Sequence, residues 1–97
     1  MTVFHTSNTV VSAPAVLHSR PYLDFGPGFY VTPVKMQAVN YAQRFTKWGD
    51  DAYLNTYEMA APDMRRLVAV RPNRQICFLT QAAIDTCLTY LRTDKLK

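Results

Sequence analysis

Residues 23–32 read LDFGPGFYVT. Glycines on either side of Pro27 predict a tight turn, because glycine tolerates backbone conformations that other residues avoid and proline fixes its own φ. The run Phe29-Tyr30-Val31 that follows is aromatic and β-branched, which predicts a short strand. A turn that leads into a strand carrying a tyrosine indicates either one wall of a ligand site or an ordinary β-turn, and the neighbouring segments must decide between them.

The rest of the chain predicts strands separated by one long loop and two helices. We expect strands at residues 2–5, 53–59, 65–70 and 75–79, of which 53–59 has the clearest period-2 alternation. The serines and prolines of residues 7–21 interrupt any periodicity and predict a loop, whose length is typical of a binding loop.

Both helices are predicted from capping residues and from apolar residues at helical spacing. Thr32 is a good N-cap and Pro33 suits the first helical position of a helix that ends near Gly49. Thr80 caps the second. The apolar faces are Val34, Ala38, Tyr41, Ala42, Phe45 and Trp48 in the first helix, and Ala83, Ile84, Cys87, Leu88 and Leu91 in the second. The expected fold is therefore α+β, with a small antiparallel or mixed sheet and two helices.

Composition limits the organisation and the surroundings of the chain. At 97 residues and 48% hydrophobic, it suits a single domain over residues 1–97. Its apolar runs fall short of the roughly 18 residues that a membrane helix needs, and its first residues lack a basic segment leading into an apolar one. We expect a soluble cytoplasmic protein with no membrane partner. Cys77 and Cys87 lack zinc-ligand spacing, so we expect no metal site and two buried thiols, with a regulatory disulfide as the alternative.

Four segments in this order resemble a bacterial family of unknown function, DUF3990, and with it the ADP-ribosyltransferase fold. They are His5-Thr6-Ser7, the LDFGPGFY of residues 23–30, Gln37-Ala38, and the NRQICFLT of residues 73–80. Where this chain has Thr6 and Pro27, the family typically has glycine and lysine. The separation of Tyr30 from the pair Asn40-Tyr41 is also similar to that in poly(ADP-ribose) polymerases. The centre departs most, because relatives have an additional segment between the Tyr57 strand and Asn73.

The resemblance implies NAD as a substrate, bound in a cleft between the first strand and the turn at Gly28. His5 would hydrogen-bond a ribose hydroxyl, and the backbone of Thr6 would pair with the nicotinamide amide. Tyr30 and Tyr41 would sandwich the nicotinamide ring, because aromatic faces stack on a flat cationic ring. Without the family, two core residues are the more usual explanation of such a tyrosine pair.

Catalysis would fall to Gln75 and Tyr30. Gln75 stands where polymerases have their catalytic glutamate; its amide can orient the ribose but has no charge to stabilise an oxocarbenium ion. Tyr30 would hold the leaving nicotinamide. Arg20 suits the pyrophosphate, or is a solvated loop arginine. Ala38 replaces a serine that grips the amide in the polymerases.

Two functions follow from these expectations. The first is an NAD-dependent mono-ADP-ribosyltransferase, a toxin or effector that modifies a macromolecular acceptor, either protein or nucleic acid. The second is a non-catalytic module that binds NAD or a partner on the same scaffold. A generic nucleic-acid binder ranks third, because the sequence shows no interleaving of aromatic and basic residues that we recognise. The short centre predicts an open edge on the Tyr53–Met59 strand, and hence a homodimer or partner complex through that edge or the Trp48 end of the first helix.

Overall fold

The structure, a computed structural model, describes residues 1–15, 29–60, 75–78 and 80–96 and the backbone of 68–70. Two predicted site residues, Arg20 and Gly28, lie outside the described residues, as do residues 65–67 and Leu79 of two predicted strands.

The described elements alternate strands and short helices. In chain order they are β1 (Thr2–Ser7), β2 (Phe29–Val31), α1 (Lys35–Tyr41), α2 (Gln43–Thr46), β3 (Tyr53–Met59), β4 (Val68–Val70), β5 (Ile76–Phe78), α3 (Gln81–Cys87) and β6 (Leu88–Lys95). The strands form two three-stranded sheets, ordered β1-β3-β6 and β2-β5-β4, with antiparallel neighbours throughout. The predicted α+β class is confirmed.

The first sheet lies between two sets of elements. One of its faces contributes Val3, Tyr57 and Met59 to the main core, which Phe29, Val31, Ile76 and Phe78 of the second sheet and Ala83, Ile84 and Cys87 of α3 complete. Its other face meets α1, because the hydroxyl of Thr6 donates a hydrogen bond to the carbonyl of Ala38. A smaller cluster of Ala42, Phe45 and Ala52 lies at the end of α2.

The first predicted helix was wrong at its start and in its continuity. Thr32 is extended and bridges to Phe4 in β1, so the helix begins at Lys35 with Val34 as its N-cap. Thr32 lies before the helix, and its hydroxyl accepts a 3.1 Å hydrogen bond from the N–H of the N-cap residue, Val34. The helix also breaks at Ala42, whose N–H turns to Val39 O at 3.1 Å. Its predicted end near Gly49 is confirmed by the left-handed φ of 82° at that glycine.

The second predicted helix was right at its start and wrong at its end. Thr80 caps α3, accepting from the Ala83 N–H at 3.1 Å. The helix stops at Cys87, and the predicted apolar positions Leu88 and Leu91 belong to β6. Cys77 and Cys87 are both buried free thiols, as expected.

Strand β6 also overturns the open edge that we expected on the Tyr53–Met59 strand. β3 is the central strand of its sheet, paired with β1 on one side and with β6 on the other. Both edges of β3 are therefore occupied within the chain, and a homodimer or partner complex stays a prediction. In the described parts of the chain, no helix combines the length and apolarity needed to cross a membrane.

Candidate functional site

Strands β1 and β2 touch at one point and then separate. The touching point is the Phe4–Thr32 pair, joined by backbone hydrogen bonds of 2.8 and 2.9 Å. In an antiparallel pair the next hydrogen-bonded position would join Thr6 and Tyr30. The Tyr30 carbonyl instead accepts a 2.7 Å hydrogen bond from Nδ1 of the His5 side chain. The imidazole therefore fills the place where the two strands part.

The His5 ring is fixed on two sides. A carbonyl oxygen can only accept, so Nδ1 is the donor and bears the proton of this bond. The ring also stacks on Phe29, with centroids 4.3 Å apart and an interplanar angle of 30°. Phe29 in turn meets Tyr57 edge to face at 5.9 Å, which connects the imidazole to the main core.

A cavity of about 510 Å³ opens beside this imidazole. It is lined by His5 and Ser7 of β1, by residues 8–13 of the following loop, and by Phe29. Its size lies within the usual range of small-molecule sites, ~300–1,000 Å³. Hydroxyl groups, backbone and an imidazole beside an aromatic ring suit a ligand that has both hydroxyls and a flat ring. Of the cavity's described lining, only Phe29 belongs to β2, and the rest lies on β1 and the loop that follows it.

The loop wall of the cavity is held by a buried asparagine. Asn55, fully buried in β3, accepts from the Val11 N–H at 2.9 Å through Oδ1. Its Nδ2 donates to the carbonyls of His5 and Thr9 at 3.3 and 3.4 Å. Thr93 of β6 donates to the same Oδ1 at 2.7 Å. One side chain therefore joins β1, the loop and β6.

A second contact holds the loop at the same residue. The hydroxyl of Tyr57 donates to the Val11 carbonyl at 2.6 Å. Burial, with a smaller effect of nearby Tyr90, raises the pKa of Tyr57 above its ordinary value, so this hydroxyl keeps its proton at neutral pH. Tyr90 supports the network from behind, since its hydroxyl lies 2.7 Å from that of Thr93.

Thr6 has a structural role. It is 5% exposed, and its hydroxyl donates to the Ala38 carbonyl. That carbonyl would otherwise accept the Ala42 N–H in a regular helix, and this N–H turns to Val39 instead. The bond coincides with the break between α1 and α2, and it joins the two positions, Thr6 and Ala38, at which the chain departs from the sequences it resembles.

The two predicted tyrosines, Tyr30 and Tyr41, lie in different parts of the molecule. Phe29 and Val31 point into the core, so alternation turns the Tyr30 side chain to the other face of β2, where it is opposite Cys77. Burial raises the pKa of the Cys77 thiol, against a smaller opposing effect of Tyr30. Tyr41 packs edge to face on Phe45 at 5.9 Å. Neither tyrosine is among the described residues that line the cavity.

Gln75 lies directly before β5, one residue beyond the Val31–Ile76 pair. This register places it at the Thr32 end of β2, whereas the cavity is at the Phe29 end. Of the predicted site residues, the structure thus brings together His5 and the backbone of Tyr30, and it sets Thr6, Tyr41 and Gln75 apart from the cavity wall.

Sequence reasoning missed Phe29, Ser7 and Asn55 as site residues. The signal for Asn55 was present, because the alternation of 53–59 places this amide on the same face as Tyr57 and Met59. A polar side chain on a core-facing position must find partners, and these turn out to be the loop and β6.

Comparison with known proteins identifies the family. A family described as "Protein of unknown function (DUF3990)" matches residues 1–72, which include β1, the loop, β2, both N-terminal helices and β3. The match ends before Gln75 and the NRQICFLT segment. No curated protein and no solved structure matches the chain. Since the match spans well over half of the 97 residues, the chain belongs to the DUF3990 family.

Proposed function

We propose that the cavity beside His5 binds NAD and that the protein transfers ADP-ribose from it to a macromolecular acceptor. The observation that carries the proposal is the His5 imidazole, fixed by the Tyr30 carbonyl and by Phe29 on the wall of a cavity of ligand size. Such a ring offers a hydrogen-bonding group in a set orientation, which suits a ribose hydroxyl. The parting of β1 from β2 supplies the opening.

The reaction would break the bond between the nicotinamide nitrogen and C1′ of the ribose. The bonding electrons return to the ring, so nicotinamide leaves neutral while positive charge develops on the ribose. The acceptor nucleophile forms the new bond to C1′ and loses its proton to solvent or to a base. The protein contributes by holding the two rings, by excluding water and by orienting the acceptor.

Gln75 is proposed to act on the ribose, because it stands at the position where polymerases have a glutamate. An amide can position hydroxyls, but it cannot offset the developing charge as a carboxylate does. Transfer of a single ADP-ribose is therefore proposed, rather than chain elongation. Since Gln75 lies at the Thr32 end of β2, this role requires the nicotinamide ribose to extend along β2 from the Phe29 end.

A non-catalytic NAD-binding module is the second candidate, favoured by the positions of two residues. Gln75, which would act on the ribose, lies at the Thr32 end of β2, whereas the cavity lies at the Phe29 end. The Thr6 side chain, which stands where the family has glycine, is turned towards Ala38 and away from the cavity wall. A protein that binds the adenosine half of NAD beside His5 without cleaving it would need neither residue at the cavity.

Release of nicotinamide and transfer of label separate the two candidates. Purified protein is incubated with NAD carrying a labelled adenine in a cell lysate, and free nicotinamide and labelled macromolecules are measured. The transferase predicts both products, strong loss of both in Gln75→Ala, and retained or increased cleavage in Gln75→Glu. Gln43→Ala, which alters an exposed glutamine of α2, is the matched control and should be unchanged.

If NAD binds and neither the parent nor Gln75→Glu releases nicotinamide, the transferase is excluded and the binding module is retained. Label that appears equally in Gln75→Ala would place the chemistry elsewhere and exclude the role of Gln75.

A further inference from the structure

Trp48 is the chain's sole tryptophan, and 78% of its surface is exposed. Its spacing from Ala38 and Phe45 predicts a core-facing side chain, and that prediction was wrong: Ala38, Ala42 and Phe45 are buried and Trp48 is not. A single exposed aromatic is common on protein surfaces. The surroundings of Trp48 distinguish it.

The backbone at Trp48 is held in one conformation. Gly49 adopts a left-handed φ of 82°, its N–H bonds to Thr46 O at 3.0 Å, and the Asp50 N–H bonds to Phe45 O at 3.0 Å. This pair of hydrogen bonds is the Schellman arrangement that ends a helix. Phe45 anchors the arrangement in the cluster with Ala42 and Ala52. The indole is therefore exposed on a fixed support rather than on a loose end.

Cations lie against the aromatic rings of this segment. The Lys47 Nζ is 5.9 Å from the centroid of the Trp48 ring, and the Arg44 Cζ is 4.9 Å from that of Tyr41. Arg44 and Lys47 are both exposed. Each of these two cations is thus paired with one aromatic ring, Arg44 with Tyr41 and Lys47 with Trp48.

The acidic neighbours do not cancel this charge. Asp51 follows the turn and forms an ion pair with Lys95, with 3.6 Å between Oδ1 and Nζ. Within residues 41–51 the other charged side chains are Asp50, Arg44 and Lys47, so two cations stand against one carboxylate that has no ion pair in the described part of the chain. The whole chain has a formal net charge of +4, so a polyanion would meet a favourable field.

We infer that the surface of Tyr41, Arg44, Lys47 and Trp48, the Trp48 surface, binds single-stranded nucleic acid. Each nucleotide offers a flat base next to a phosphate, which matches an exposed ring next to a cation. A duplex hides the base faces, so it would use the cations alone. An acidic protein would supply anions without a flat ring beside each of them. The four residues lie apart from those lining the His5 cavity, so the inference does not depend on NAD binding.

The intrinsic fluorescence of Trp48 tests the inference directly, because no other tryptophan contributes. A short oligothymidylate is titrated into the full chain at low salt and again at physiological salt. Stacking predicts saturable quenching of Trp48. The affinity should fall as salt rises, with a slope of log K against log salt near −0.7 for each cation engaged.

Variants measured by anisotropy of a labelled oligothymidylate locate the binding. Trp48→Ala should weaken it about tenfold, the usual effect of losing one stacked base. Arg44→Gln and Lys47→Gln should each weaken binding and reduce the salt slope by about 0.7. Lys35→Gln is the matched control, since it removes an equal charge from an exposed position of α1 and should change little.

Each of four results would overturn the inference. A change in anisotropy without quenching would place the nucleic acid elsewhere. Equal weakening by Lys35→Gln and Lys47→Gln would indicate attraction to net charge alone, and equal quenching by polyglutamate would indicate a site for acidic proteins. Unchanged fluorescence and anisotropy at the highest concentration would overturn it as well.

Discussion

Nδ1 of His5 donates a 2.7 Å hydrogen bond to the carbonyl oxygen of Tyr30, a residue 25 positions later in the chain. The side chain takes the place of a backbone ladder bond just where β1 leaves β2. The same contact fixes the imidazole, spaces the two strands and borders the cavity. This hydrogen bond therefore bears both on the stability of the fold and on the proposed binding of NAD, and the two effects can be tested separately.

Replacing His5 by phenylalanine should destabilise the fold by about 1 kcal/mol, because the ring still stacks on Phe29 while the Tyr30 carbonyl loses its donor. His5→Asn, which retains an N–H near the position of Nδ1, should recover part of this loss. Urea denaturation measures both. Equal midpoints for the parent and His5→Phe would show that the bond adds nothing to stability.

Asn55→Ala should cost about 2–4 kcal/mol, since it leaves buried partners in β1, the loop and β6 without their hydrogen bonds. Exchange of the Val11 amide hydrogen should also accelerate. Asn40→Ala, at an exposed position of α1, is the control and should stay within about 0.5 kcal/mol. If Asn55→Ala leaves the Val11 amide equally protected, the loop is held by other contacts.

Thr6→Gly should let the Ala42 N–H return to the Ala38 carbonyl and join α1 to α2, because the competing hydroxyl is gone. We expect the free energy of unfolding to fall by about 1–2 kcal/mol, because the hydroxyl's hydrogen bond is lost and glycine has more backbone freedom in the unfolded chain. Thr6→Ser retains the hydroxyl and should retain the break. Amide chemical shifts at Ala42 report the change. A break that persists in Thr6→Gly would assign it to another cause.

The pH dependence of stability should reveal the buried hydroxyl of Tyr57. Its pKa is raised by burial in the folded protein, so above about pH 10, the ordinary value, the unfolded state ionises first. Its contribution is then fully present below pH 10 and is lost as pH rises. Tyr57→Phe should be less stable than the parent at neutral pH, with the gap narrowing above pH 10. A gap that is constant with pH in denaturant titrations would contradict the burial of this hydroxyl.

Patterns within single segments of the sequence correctly predicted one strand and the start of one helix. The alternation of 53–59 and the Thr80 cap both gave the element that the structure contains. Leu88 and Leu91 continue the helical spacing of Ile84, yet Leu88 pairs with Met59 in the sheet. The register shift in this pairing falls beside Leu91, which is 47% exposed. The helix ends at Cys87 because the following residues form backbone hydrogen bonds with β3. Periodicity along one segment cannot reveal a pairing with a distant strand.

The site was predictable in the same uneven way. The family resemblance assigns roles to His5 and to the Tyr30 ring, which stay predictions, whereas the structure joins these two residues through the Tyr30 backbone carbonyl. Asn55 accepts a hydrogen bond from the Val11 N–H, 44 positions earlier in the chain. A contact between residues so far apart depends on the assembled fold, so the local sequence could not predict it. Thr32 failed as a cap because its backbone was needed to bridge β1.

Titration of NAD into the isotopically labelled chain, followed through its backbone amide resonances, tests the central claim most directly. If NAD occupies the His5 cavity, saturable shifts should concentrate at His5, Ser7, residues 8–13 and Phe29, and His5→Ala should weaken binding at least several-fold. Lys35→Gln, remote from the cavity lining, should bind as the parent does. Spectra unchanged at millimolar NAD, or shifts confined to residues 41–51 around Trp48, would contradict the assignment of the cavity to NAD.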